Sequence, residues 1–240
     1  DGYTMVWGGN APLAISPALQ KTMPFDSIKD FQPITRVAIA PLLLVSHPKL
    51  GVRSLSELVA LAKRKPNQLS YASPGNGTTS HLSMELLKQA SGTQIAHVPY
   101  KGTTPGVADL LGGQINYSFD TMTAATPHVK SGKAVAIAQT RLKRAGSYPN
   151  VPTMAESGFP GFEATTWYGL VGPGKLPAAM AQRMNEDINK VLAMPDVIEK
   201  LQQNGAEDGG GSVEKFASFI QSESRKWARV VKEAGVKNEG

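Results

Sequence analysis

Cysteine is missing altogether from the 240 residues, which rules out disulfides, thiolate nucleophiles and cysteine-ligated metals together. Long apolar runs are missing too: no stretch approaches the roughly 20 residues that a membrane-spanning helix needs. The opening DGYTMVWGGN has neither the basic start nor the apolar run of a signal peptide, and it reads as an interior turn followed by a strand. Histidine is scarce. His47, His81, His97 and His128 share no metal-ligand spacing and are read as structural or surface groups. His81 stands apart because it sits in the first turn after a glycine-rich loop. No nucleophile is paired with a base, so catalysis has no support in the sequence, and neither a metal nor a cofactor is expected.

Positive charge is in excess, with a formal net charge of +6 and a pI near 9.4. Such a balance suits an anionic partner. The basic residues are scattered, however, and their one cluster, RLKR at Arg141 to Arg144, is short. A nucleic-acid surface carries a basic stripe interleaved with aromatics, so nucleic acid is not the expected partner. The composition, 41% hydrophobic and 18% charged, is that of a globular chain able to bury one large core or two modest ones.

Along the chain, Tyr3 to Gly8 is rich in strand formers, and Pro12, Pro17 and Pro24 then break up a segment read as loop. Phe31 to Ser46 is a long apolar β-type stretch with a proline near its middle, suited to crossing from one domain to another. From Ser54 the pattern becomes regular. A helix over Ser54 to Lys65 has Ser54 as cap and Glu57 three residues on. Strands at Leu69 to Ala72, Ile95 to Val98, Ile115 to Phe119 and Ala134 to Ala138 alternate with helices at His81 to Ala90, from Thr104 to Gly112, and at Thr121 to Ser131. Thr104 is read as the cap of the middle helix, with Pro105 at its first position. This alternation argues for βαβ units around a mainly parallel sheet. Ser147 to Gly161 reads as a surface segment, and Trp167 to Val171 as a second crossing strand. The remainder is helical, and Phe216, Phe219, Ile220, Trp227, Val230 and Val231 form a core stripe. The reading is an α/β protein of two lobes: residues 1–45 with 167–240, and residues 46–166.

The most informative stretch is YASPGNGTTSHL, Tyr71 to Leu82. A strand runs through Ser73 into Pro74, Gly75, Asn76 and Gly77, then into Thr78, Thr79 and Ser80, and only then into helix. Glycines let backbone amides face outward, and the helix end adds unpaired N–H groups and a partial positive charge. Together with three hydroxyls these make a site for a carboxylate or small oxyanion. The alternative is a plain strand-to-helix connection with a threonine cap. A phosphate P-loop would need lysine where Thr78 stands, and a dinucleotide fingerprint would need glycine where Ser80 stands. A nucleophile elbow would need serine where Asn76 stands. Asp120, ending the strand INYSFD, is either a ligand contact or the cap of the helix at Thr121. Asn10, after Gly8 and Gly9, is either a ligand contact or a turn residue.

These segments, with DGYT at Asp1, FQPITRVA at Phe31, SPGNGTTSHL at Ser73, VPYKGTTPGVADLLGGQI at Val98, YPNVPTMAESGFPGFE at Tyr148, WYGLVGPGKLP at Trp167 and KWARVVKEAG at Lys226, closely resemble the Bug family. Its members are extracytoplasmic solute receptors related to the substrate-binding components of tripartite tricarboxylate transporters. The resemblance implies a monomeric periplasmic protein of the type II binding-protein fold, two α/β lobes joined by two crossing strands and closing on a ligand in the cleft between them. It implies a small carboxylate-bearing ligand, delivered to membrane transporter subunits or a sensor. By the same resemblance the carboxylate grip maps onto Ser73, Gly75, Asn76, Gly77, Thr78 and Thr79, with Asp120 and Thr121 at a strand end facing it and Asn10 on the other lobe. Dicarboxylates, amino acids and aromatic acids all suit such a grip; Tyr100, Trp167 and Tyr168 are read first as core or hinge residues.

Family members begin upstream of DGYT with a signal peptide and a strand–loop–helix unit, so the chain is expected to be a fragment of a longer receptor. A second reading of the fold is the effector-binding domain of a bacterial transcription regulator. A third is a hydrolase using His81 and a neighbouring threonine.

Overall fold

A computed structural model of the chain describes residues 4–203, 205–207 and 209–236. Asp1, Gly2 and Tyr3, with which the DGYT motif and the expected first strand begin, lie outside the described residues. In chain order the elements are β1 (Val6–Gly9), a π-helical turn (Ala11–Ile15), α1 (Ser16–Leu19), β2 (Phe31–Ser46), a 3-10 turn (Pro48–Leu50), α2 (Leu55–Arg64), β3 (Ser70–Ser73), α3 (Thr79–Ser91), β4 (Ala96–Pro99), α4 (Thr103–Gly112), β5 (Tyr117–Thr121), α5 (Met122–Lys130), β6 (Val135–Gln139), β7 (Thr165–Pro173), α6 (Ala178–Leu192), α7 (Pro195–Gln203) and α8 (Val213–Ala234). They form two compact units, Asp1–Ala40 with Thr166–Gly240, and Pro41–Thr165.

In the first unit β7 lies between β1, with which it pairs antiparallel, and the first part of β2. The prolines at 12 and 17 do not leave a loop, as the sequence reading expects. They sit at the starts of the π-helical turn and of α1, where a missing N–H costs nothing. α8 buries Val213, Phe216, Ile220, Trp227, Val230 and Val231 at helical spacing. Trp167 is the anchor of this core, meeting the rings of Phe216 and Phe219 edge-on at centroid distances of 5.8 and 5.4 Å. Its side chain is fully buried, whereas Tyr168, next to it, is exposed and stacks on Trp7. A separate apolar cluster joins Ile34, Leu176 and Ala181.

In the second unit the last residues of β2 are flanked by β5 and β6, both antiparallel to it. Pro41 stands just before this doubly paired stretch, where a residue without an N–H leaves the ladder intact. β3 runs parallel to β4 and to β5. The mainly parallel sheet read from the sequence is thus correct for the three strands joined by crossover helices. β2 arrives without such a crossover and is free to run the other way. Leu43, Val45, Ala72, Leu110, Ile115, Met122 and Ala125 pack into the core that this sheet shares with α4 and α5.

The direction of β3, β4 and β5 decides where chemistry can gather. Their carboxyl ends lie on one edge, and α3, α4 and α5 begin there. In open α/β sheets this edge is where ligands bind.

Candidate functional site

The loop between β3 and α3 occupies that edge. Gly75 and Gly77 have φ values of +144° and +72°, backbone that side-chain-bearing residues rarely adopt. Several of the loop's polar groups hold the loop itself. Ser73 Oγ accepts the Gly75 N–H at 3.2 Å, and Gly77 N–H goes to His81 Nδ1 at 3.0 Å. Thr78 Oγ1 donates to the Gly75 carbonyl at 2.8 Å and caps α3 by accepting from His81 N–H at 3.4 Å. Helix α3 therefore starts at Thr79, two residues before the expected start at His81, because Thr78 supplies the cap.

What this leaves open is specific. The amides of Asn76, Thr79 and Ser80 have no acceptor among the described residues, and the hydroxyls of Thr79 and Ser80 have no partner there either. They lie at or just before the amino end of a 13-residue helix, whose dipole places partial positive charge there. The arrangement can hold an anion with dipoles and hydrogen bonds alone.

The neighbouring loop between β4 and α4 is tied to this one. Tyr100 N–H donates to the Ser73 carbonyl at 2.9 Å and Gly102 N–H to the Pro74 carbonyl at 3.0 Å. The cap of α4 is Gly102, with φ +109°, and not Thr104, which falls inside the helix; no side chain caps this end. Sequence reasoning missed this second open helix start. The signal was present, because Gly-Thr-Thr occurs at 77–79 and again at 102–104, both times where a strand turns into a helix.

Asp120 and Thr121 end β5 on the same edge, since β3 and β5 are parallel with Ala72 opposite Ser118. Thr121 caps α5 by accepting from Ala124 N–H at 3.3 Å, so Asp120 is not the cap. Asp120 is 4% exposed, and burial pushes its carboxyl up to about 6, against a smaller opposing effect of the Ser118 hydroxyl. Asn10 belongs to the first unit. It is buried at the start of the π-helical turn, and its Oδ1 accepts the Trp167 N–H at 3.0 Å, tying β7 to the end of β1.

Among the described residues no cluster of acidic or imidazole side chains could hold a metal ion, and no helix is long and apolar enough to cross a membrane. A loop of open amides at the strand ends of an α/β sheet is suited to holding a solute with hydrogen bonds. The chain belongs to the tripartite tricarboxylate transporter receptor family, whose model matches residues 1–236. It is thus a solute-binding receptor and not an enzyme, and its fold is that of the periplasmic binding proteins.

Three solved structures illustrate the likeness. Rpa4515 of R. palustris, solved with adipate, is 33% identical, with a TM-score of 0.89 over 99% of this chain and 79% of its own. The periplasmic binding protein BugD is 32% identical, with a TM-score of 0.84 over 99% of this chain and 80% of that one. MatC from Rhodopseudomonas palustris, solved with bound malate, is 28% identical, with a TM-score of 0.82 over 96% of this chain and 80% of that one.

Proposed function

We propose that this chain captures a small dicarboxylate in the periplasm and delivers it to a tripartite tricarboxylate-type transporter. The observation that carries the reading is the set of open amides at Asn76, Thr79 and Ser80, held outward by two glycines at positive φ. The ligand class follows from chemistry that two relatives share: Rpa4515 was solved with adipate and MatC with malate, and both molecules carry two carboxylates.

In this reading one carboxylate of the ligand accepts from Asn76 and Thr79. Ser73, Gly75, Gly77 and Thr78 shape the loop, and Asp120 and Thr121 bound the same edge. Family membership and the periplasmic relative BugD support the compartment.

The test is a thermal-shift and calorimetric screen against adipate, malate, tricarboxylates, amino acids and benzoate. A ligand present at a hundred times its Kd stabilises the fold by about 2.7 kcal/mol. The expected outcome is stabilisation by one or more dicarboxylates, abolished by Gly77→Ala. No response to any carboxylate would count against the reading.

A further inference from the structure

Behind the anion loop lies a stack of three rings. His81, on α3, lies on His97, on β4, with ring centroids 3.9 Å apart and planes 13° from parallel. Tyr71, on β3, stacks on His97 at 4.7 Å and 17°. Each imidazole reaches one end of the loop. His81 Nδ1 accepts the Gly77 N–H at 3.0 Å, and His97 Nε2 lies 2.7 Å from Ser73 Oγ, the atom that receives the Gly75 N–H.

The contact to Gly77 fixes the state of His81. An acceptor at Nδ1 carries no proton, so the ring proton is on Nε2, which lies 3.9 Å from Glu85 Oε1. Protonation at Nδ1 would set an N–H against the Gly77 N–H. It would also place a cation flat against its neighbour's ring, and a second proton would stack two cations.

The charged and titratable surroundings are defined. On α3, Glu85 accepts from the Tyr71 hydroxyl at 2.6 Å and from Lys88 at 2.7 Å. β5, packed against α3, carries Tyr117 and Asp120. Burial pushes His97 down to about 3, with His81 and then Lys88 adding to the effect. His81 is lowered as well, by burial first; Glu85 opposes that shift and Lys88 adds to it.

We propose that His81 and His97 are positioning residues for the ligand: as a neutral stacked pair they hold Gly77 and Ser73 in the conformation that leaves the Asn76, Thr79 and Ser80 amides open, and a proton on His81 Nδ1 dismantles it. The proposal rests on the loop being the ligand grip. Its physical sense is that a neutral brace takes up the two inner amides, Gly75 and Gly77, without placing a cation beneath the site. The loop then keeps one geometry, and no fixed charge is committed to it.

The test reads the loop directly, in the full chain. The Gly77 amide is followed by NMR and hydrogen exchange from pH 7.5 to pH 3.5, alongside the His81 ring resonances, in the wild type, His81→Asn and His81→Phe. Asparagine keeps an acceptor at the δ1 position; phenylalanine keeps a ring and loses the acceptor. In the wild type Gly77 is expected to be protected at neutral pH and to shift with the midpoint of the His81 ring. In His81→Asn it stays protected and does not titrate. In His81→Phe its protection at pH 7.5 drops roughly tenfold, the scale of one lost hydrogen bond.

Binding of adipate and malate is measured on the same samples, and affinity is expected to follow Gly77 protection. A Gly77 amide that ignores the His81 titration, or one as protected in His81→Phe as in the wild type, overturns the proposal. Should His81→Phe fail to fold, the wild-type titration and His81→Asn still decide it. If no protein in the set binds either dicarboxylate, the ligand class proposed above falls, and the Gly77 amide still reports on the brace.

Discussion

Glu223 accepts the indole N–H of Trp167 at 3.2 Å from a position 56 residues further along the chain. The same oxygen, Oε2, also accepts the indole N–H of Trp227 at 3.0 Å, and Lys226 pairs with the other oxygen. Glu223 is 6% exposed, and both tryptophans are fully buried. One acidic group therefore satisfies both indole donors in the core of the first unit.

Replacing it by alanine orphans two buried donors and removes one partner of Lys226. Glu223→Ala is expected to cost about 2–4 kcal/mol in urea unfolding. Glu223→Gln, which keeps an acceptor, is expected to cost less. A loss below about 0.5 kcal/mol for the alanine variant, the scale of ordinary surface changes, would contradict this account of the core.

Two helix caps separate stability from binding. Ser54 caps α2 by accepting from Glu57 N–H at 3.2 Å, while Glu57 Oε2 accepts from Arg53 N–H at 2.7 Å. Thr78 caps α3 inside the loop between β3 and α3. Ser54→Ala and Thr78→Ala are each expected to lose about 1 kcal/mol. Only Thr78→Ala is expected to weaken dicarboxylate binding by calorimetry; equal effects of the two on affinity would argue against the loop as the grip.

Glycine to alanine separates strain from crowding. At Gly77 the backbone has φ +72°, so alanine is strained by roughly 1–2 kcal/mol and the loop geometry is lost with it. At Gly169 a Cβ would meet the Phe216 ring and come 2.8 Å from the Thr35 carbonyl oxygen. Overpacking of that kind costs roughly 1–3 kcal/mol. Both variants are expected to melt earlier, and only Gly77→Ala to lose ligand while still folded.

Asp120 sets an opposite slope with pH from the usual carboxylate. Its folded-state value, about 6, lies above the ordinary 3.8, so between these values the folded chain holds a proton that the unfolded chain has released. Its contribution is thus present below pH 3.8 and lost as pH rises through 6. Asp120→Asn is expected to raise Tm at pH 8 and to leave it nearly unchanged at pH 4. The same gain at both pH values would show that ionisation is not the cause.

Local chemistry was the legible part of this fold. Ser54 was recognisable as a cap from its spacing to Glu57, and the structure places it there. The loop from Ser73 to Thr79 stood out because two glycines and several hydroxyls stand together just before a helix. The sequence hid contacts between distant positions. Nothing periodic links Asn10 to Trp167, 157 residues apart, or Ser73 to His97, 24 apart. The cap of α4 was misplaced for a related reason: Thr104 followed by Pro105 has the pattern of a cap and a first helical position, but the positive φ at Gly102 decided the turn.

In the proposed reading, the open amides of the loop between β3 and α3 also bear on ionic strength. Attraction between a ligand and lysine or arginine fades as salt screens it, whereas hydrogen bonds from fixed amides act at contact distance, inside the range where mobile ions can intervene. A receptor that holds its cargo this way keeps nearly the same affinity in dilute and in saline surroundings, a useful property wherever the outer medium sets the salt.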